Sequence, residues 1–176
     1  ATTEIYTLSL HDALPIFPET PLTALDGSAH TLGTPDGRHQ VVFFFNHTCP
    51  YCARSAEPVV AAARALRARD DAEVSVLGVC ECTPEQARGF TERHGLDFPV
   101  VTLQDGRQLA LYRARSVPVL LAINRDGRVT YAVQGVFGGG RQQDALFSAV
   151  GMGAPSAGTG TAERERNDKD KDDRRG

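Results

Sequence analysis

Two cysteines stand three positions apart, Cys49 and Cys52, within "FFFNHTCPYCARSAEP" (43–58), directly after a run of apolar residues. A thiol pair at this spacing supports two kinds of chemistry. At a strand-to-helix junction, unpaired N–H groups and the positive end of the helix dipole stabilise a thiolate, lowering a thiol pKa from ~8.5 to roughly 3.5–7.5. The second cysteine, one turn further in, can then attack a mixed disulfide formed on the first. On this reading Cys49 is the nucleophile and Cys52 the resolving thiol. The other chemistry is half of a zinc site, which needs two more ligands, and the chain offers Cys80 and Cys82 at C-x-C spacing. A single C-x-x-C after a strand favours exchange over metal. Neither a metal nor an organic cofactor is expected.

Such a pair acts only if the surrounding elements hold it. "QVVFFF" (40–45) is apolar without alternation, the pattern of a strand buried on both faces of a partly parallel sheet. From Cys49 to about Arg69 the residues are alanine-rich and helix-favouring, with Pro58 expected to kink or restart the helix. "EVSVLGV" (73–79) reads as a second buried strand. In "TPEQARGFTERHG" (83–95), Thr83, Pro84 and Gln86 fit N-cap, first-turn proline and capping-box partner, and Gly95 closes the helix. A short piece at 98–103 and a helix around Gln108 to Arg113 follow. Two hairpins are signalled, one in "PLTALDGSAHTL" (21–32) across Asp26-Gly27, the other in 117–135 across Asp126-Gly127. "RQQDALFSAV" (141–150) makes a last amphipathic helix. The order predicts an α/β fold, a central sheet flanked by helices.

The ends of the chain read differently. Residues 1–16, "ATTEIYTLSLHDALPI", back-translate with permitted codons into a short-read sequencing adapter and are set aside as a non-native segment. A native start, with any signal peptide or membrane anchor, is therefore expected upstream. Residues 151–176 pass from Gly/Ala/Ser to dense mixed charge, with six acids and six bases, and are expected to be a disordered tail. The domain is thus placed at 17–150. The formal charge of −3 reduces to about −1 there, because the tail cancels and Glu4 and Asp12 fall in the excluded segment. This balance points away from nucleic acid.

The segments 21–32, "VVFFFNHTCPYC", "LGVCECTPEQARGFTERHGLDFPVV" and 117–135 together resemble the TlpA-type thiol-disulfide oxidoreductases, within the thioredoxin-like redoxin and AhpC/TSA superfamily. The likeness covers 21 to about 137. It implies a thioredoxin-like fold, with a mixed sheet, an N-terminal β-hairpin and an extra β-α insertion. It also implies that Pro118 matches the family's cis-proline beside the redox pair, with Val117 next to it pairing with substrate and Pro50 and Tyr51 as further substrate-binding residues. "CPYC" alone is similar to glutaredoxins, but the 69 positions from Cys49 to Pro118 leave room for the extra β-α unit.

Three positions depart from the family pattern. Thr48 stands where tryptophan usually precedes the first cysteine, and the chain has no tryptophan. Pro58 comes one residue late. Phe43 stands where thioredoxins keep a buried aspartate, which removes the usual carboxylate helper of Cys52. Glu81 is a candidate replacement, with a solvated surface role as its alternative. Cys80 and Cys82 are expected as small core residues or free thiols, with an auxiliary redox role as the alternative. His47 is either a contributor to the positive potential of the site or a plain loop histidine.

The resemblance implies an extracytoplasmic thiol-disulfide oxidoreductase acting on protein thiols and disulfides with an upstream redox partner, expected as a monomer working in the reducing direction. A peroxiredoxin-like peroxidase is one rival, but it wants a hydroxyl residue three before the cysteine, where Asn46 stands, and a proline where Val42 stands. A Sco-like copper-binding assembly factor is the other, and its wider cysteine spacing and distal histidine are unmatched.

Overall fold

The structure is a computed structural model describing residues 17–33, 37–69 and 73–152. The adapter-like segment and, apart from Gly151 and Met152, the charged tail lie outside the described residues. Met152 is buried against the core, so packing continues just past the expected boundary at 150.

The elements run β1 (Thr20–Thr23), β2 (Ala29–Leu32), β3 (His39–Phe45), α1 (Pro50–Arg67), β4 (Val74–Cys80), α2 (Pro84–His94), β5 (Val100–Thr102), α3 (Gly106–Leu111), β6 (Val119–Ile123), β7 (Val129–Gln134) and α4 (Arg141–Ala149). The main sheet has the order β5-β4-β3-β6-β7, with β3, β4 and β5 parallel and β6 and β7 antiparallel additions. The unbroken apolar run of β3 follows from burial on both faces. Val41, Phe43 and Phe45 pack on the side of α1, α2 and α4, while Val42 and Phe44 pack on the side of α3 and the hairpin. A strand covered on one face only would have alternated.

The hairpin β1–β2 forms its own two-stranded sheet and reaches the edge strand β5, where Leu25 N–H donates to Val100 O at 2.9 Å. This covers part of an edge that would otherwise offer free backbone groups. Buried Gln40 joins the hairpin to β3, its amide donating to Thr31 O at 3.0 Å and its oxygen accepting from Gly33 N–H at 3.0 Å.

Helix α2 begins and ends as its sequence dictates, with a complete Thr83/Gln86 capping box and Gly95 in the left-handed region. Pro58 does not restart the helix. Helix α1 continues through it for 18 residues without a restart, because Ser55, Ala56, Val59, Val60, Ala62, Ala63 and Leu66 form one buried face on both sides of it. Tertiary packing of that face supplies most of a helix's stability and overrides the local breaker. At its far end Arg64 and Arg67 both bond to the Asp97 carboxylate, at 2.6 Å each, tying α1 to the loop after α2.

Candidate active site

The topology brings three segments to one end of the sheet. Parallel β3 and β4 finish side by side, with Phe45 level with Cys80. Strand β6 runs the other way and pairs Val119 with Phe44, so its start lies where β3 ends. The chain leaving β3 carries Cys49 and the chain entering β6 carries Val117 and Pro118. The Val117–Pro118 peptide is cis, and the Cys49 thiol donates to Val117 O at 3.8 Å. The interval of 69 positions is closed by the sheet itself.

Cys49 is the N-cap of α1, with extended backbone angles, and its sulfur accepts the Cys52 N–H at 3.2 Å. The sulfur thus replaces the side-chain oxygen that usually satisfies a free N–H at a helix start. Pro50 occupies the first turn, where a missing N–H costs nothing. Cys49 is half-buried, whereas Cys52 is fully buried beneath it; both are free thiols. Burial pushes the Cys52 thiol far above the ordinary thiol range, and the Cys49 side chain beside it adds to the shift. Pro50 and Tyr51 are exposed at the rim, Tyr51 at 55%. Phe43, in place of the aspartate, is fully buried and stacks on Phe45.

Sequence reasoning missed two residues that organise the site. Asn46 accepts from the Thr48 N–H and hydroxyl at 3.1 and 3.0 Å, and its amide donates to Glu81 O at 3.0 Å. Its side chain shapes the loop that delivers Cys49. Ser55 is buried, donates to Tyr51 O at 2.9 Å and accepts from Phe137 N–H at 3.0 Å. Because Gly135 N–H donates to Pro118 O at 2.9 Å, Ser55 and Gly135 together hold α1 and the Pro118 loop through the segment after β7. Turn-forming Asn is visible in "FNHT", but the long-range partners are not.

The auxiliary residues divide. It is the main chain of Glu81 that joins the site, its N–H donating to Phe45 O and its carbonyl held by Asn46; no hydrogen bond links its carboxylate to either cysteine. His47 is partly buried, and its Nδ1 has no hydrogen-bond partner among the described residues. The expectation of free thiols at Cys80 and Cys82 is overturned, because the two are joined in a disulfide with Cα atoms 5.3 Å apart. Strand β4 ends at Cys80, and Cys82 lies in the bend that follows. Both sulfurs are buried in the same core cluster as Cys52.

No curated protein matches the chain by sequence. Among solved structures, its fold is similar to that of a secreted Mycobacterium tuberculosis disulfide oxidoreductase homologous to E. coli DsbE, at 23% identity and TM-score 0.57, covering 75% of this chain and 94% of that one. StoA from Bacillus subtilis matches at 18% identity and TM-score 0.62, covering 74% and 98%. The thioredoxin domain of a thiol-disulfide oxidoreductase from Bacteroides vulgatus matches at 19% identity and TM-score 0.64, covering 78% and 98%. These likenesses give the thioredoxin-like fold. The redoxin family model matches residues 11–147, most of the chain. The chain belongs to the redoxin family.

Proposed function

We propose that this chain is a thiol-disulfide oxidoreductase that cycles Cys49 and Cys52 between dithiol and disulfide. The observation carrying this reading is the position of the Cys49 sulfur, capping α1 with the Cys52 N–H 3.2 Å away and the Val117 carbonyl 3.8 Å away. N–H groups at a helix start favour a negatively charged sulfur. Cys49 thiolate attacks one sulfur of a substrate disulfide, and the other substrate sulfur leaves and takes a proton. Cys52 then gives up its proton, attacks Cys49 and releases the second substrate thiol, leaving Cys49–Cys52 oxidised. An upstream dithiol protein restores the pair. Exposed Tyr51 and Pro50 on one side and Val117 and Pro118 on the other frame the sulfur, which suits an extended protein segment as substrate.

Reduction is the direction we infer. A strongly oxidising pair owes its potential to a stabilised reduced form, and Cys52, held as a neutral thiol by burial, adds no thiolate stabilisation. The fold shared with a secreted relative supports an extracytoplasmic setting; among the described residues no helix is long and apolar enough to cross a membrane. Equilibration with graded glutathione buffers, read by mass spectrometry of trapped thiols, tests the reading. A two-electron Cys49–Cys52 couple nearer to about −270 mV, the thioredoxin value, than to about −120 mV, that of DsbA, is expected. A value at the DsbA end would reverse the direction, and no couple at all would remove the function.

A further inference from the structure

The Cys80–Cys82 disulfide closes a ring with one residue between its cysteines. Cross-links stabilise mainly by removing loop entropy from the unfolded chain, and a loop this short removes little. Stability alone is a weak reason for the bond. Its place is more informative. Cys80 is the last residue of β4, level with Phe45, four positions before Cys49. Glu81, between the two bonded cysteines, is held by Phe45 O and by the Asn46 side chain, the residue that shapes the Cys49 loop. Cys52, Cys80 and Cys82 share one apolar cluster on the same face of the sheet, with Cys49 packed against it.

We propose that Cys80 and Cys82 form a second redox couple that exchanges electrons with Cys49 and Cys52 inside the chain. This deepens the exchange reading above and rests on it. Cys82 is the entry sulfur. Cys80 is fixed in the ladder between β3 and β5, with its carbonyl bonded to Leu103 N–H, whereas Cys82 lies beyond the strand in the bend before α2. Cys49 thiolate attacks the Cys82 sulfur, the Cys80–Cys82 bond breaks, and Cys80 leaves as a thiolate that takes a proton. Cys52 loses its proton and attacks Cys49, and Cys82 leaves and takes that proton. Two electrons and two protons pass from one pair to the other. Once reduced, Cys80 and Cys82 return them by the reverse steps, so the chain stores four electrons where a lone C-x-x-C stores two. Both residues are buried, which disfavours direct attack by a foreign protein and leaves Cys49 as the route to this couple.

The Cys52→Ser variant of the full chain tests this by stranding the first intermediate. Incubated without oxygen, quenched with N-ethylmaleimide and digested unreduced, it should yield a peptide cross-linked between Cys49 and Cys82 within single chains, with Cys80 alkylated. Cys80 alkylation should exceed that in the Cys49→Ser control, which lacks the attacking sulfur, by roughly ten-fold or more. A parallel sample receives oxidised glutathione. If Cys49 takes glutathione but forms no cross-link, the second couple is overturned and the exchange reading stands. If Cys49 takes neither, both fall. Wild-type protein gives an independent check that needs no variant. Across glutathione buffers, the Cys80–Cys82 bond should open and close with the state of Cys49–Cys52, and a bond that stays closed or stays open throughout overturns the proposal.

Discussion

Cys49 and Cys52 belong to one helical turn yet meet opposite surroundings. Cys49 is half-exposed and faces an N–H donor, whereas Cys52 lies under the helix in apolar packing that raises its thiol pKa. Iodoacetamide at neutral pH should therefore label Cys49 of the reduced protein and spare Cys52, by roughly a hundred-fold in rate. Peptide mass spectrometry reads this, and equal labelling would contradict the assignment of nucleophile and resolving thiol. The same burial couples to stability. The folded state favours the neutral Cys52 thiol, while the unfolded chain ionises near the usual ~8.5. That contribution is fully present below this pH and fades as pH rises above it. Urea unfolding of the reduced protein should show wild type losing about 2 kcal/mol more than Cys52→Ser between pH 8 and 10.

At the scale of elements, the site depends on how loops and helix α1 are tied together. Ser55 gives the buried Phe137 N–H its acceptor. Ser55→Ala leaves that donor unsatisfied and should cost about 1–3 kcal/mol in urea unfolding; a loss under ~0.5 kcal/mol would mean the tie contributes little. Much of this scale was legible from sequence. The capping box of α2, the two D-G hairpins and the doubly buried β3 are local patterns, written within a few residues. Asn46 and Ser55 were not legible as site residues, because their decisive partners lie 35 and 82 positions away. The Cys80–Cys82 bond was hidden for a different reason. Residues two apart in a continuous strand are nearly 7 Å apart, and only the end of β4 at Cys80 allows a Cα separation of 5.3 Å. Pro58 does not restart the helix, because local propensity is weaker than the packing of the buried face of an 18-residue helix.

On the scale of the whole molecule, a sheet covered on both faces does the positioning. Parallel β3 and β4 aim their ends, and both cysteine pairs, at one edge, while antiparallel β6 returns Pro118 to that edge. The thioredoxin-like fold and the C-x-x-C with its proline were readable together through the resemblance to TlpA-type oxidoreductases, and the spacing from Cys49 to Pro118 served to leave room for the extra β-α unit. Phe43, fully buried and stacked on Phe45, gives its position apolar packing and no carboxylate. The central claim is that Cys49 performs disulfide exchange on protein substrates. Reduction of insulin disulfides by dithiothreitol, followed by turbidity, tests it most directly. Wild type should accelerate precipitation, Cys49→Ser should fall to the uncatalysed rate, and Cys52→Ser should stall as a Cys49-linked mixed disulfide. Catalysis undiminished in Cys49→Ser, or absent in a folded wild-type chain, would contradict the account.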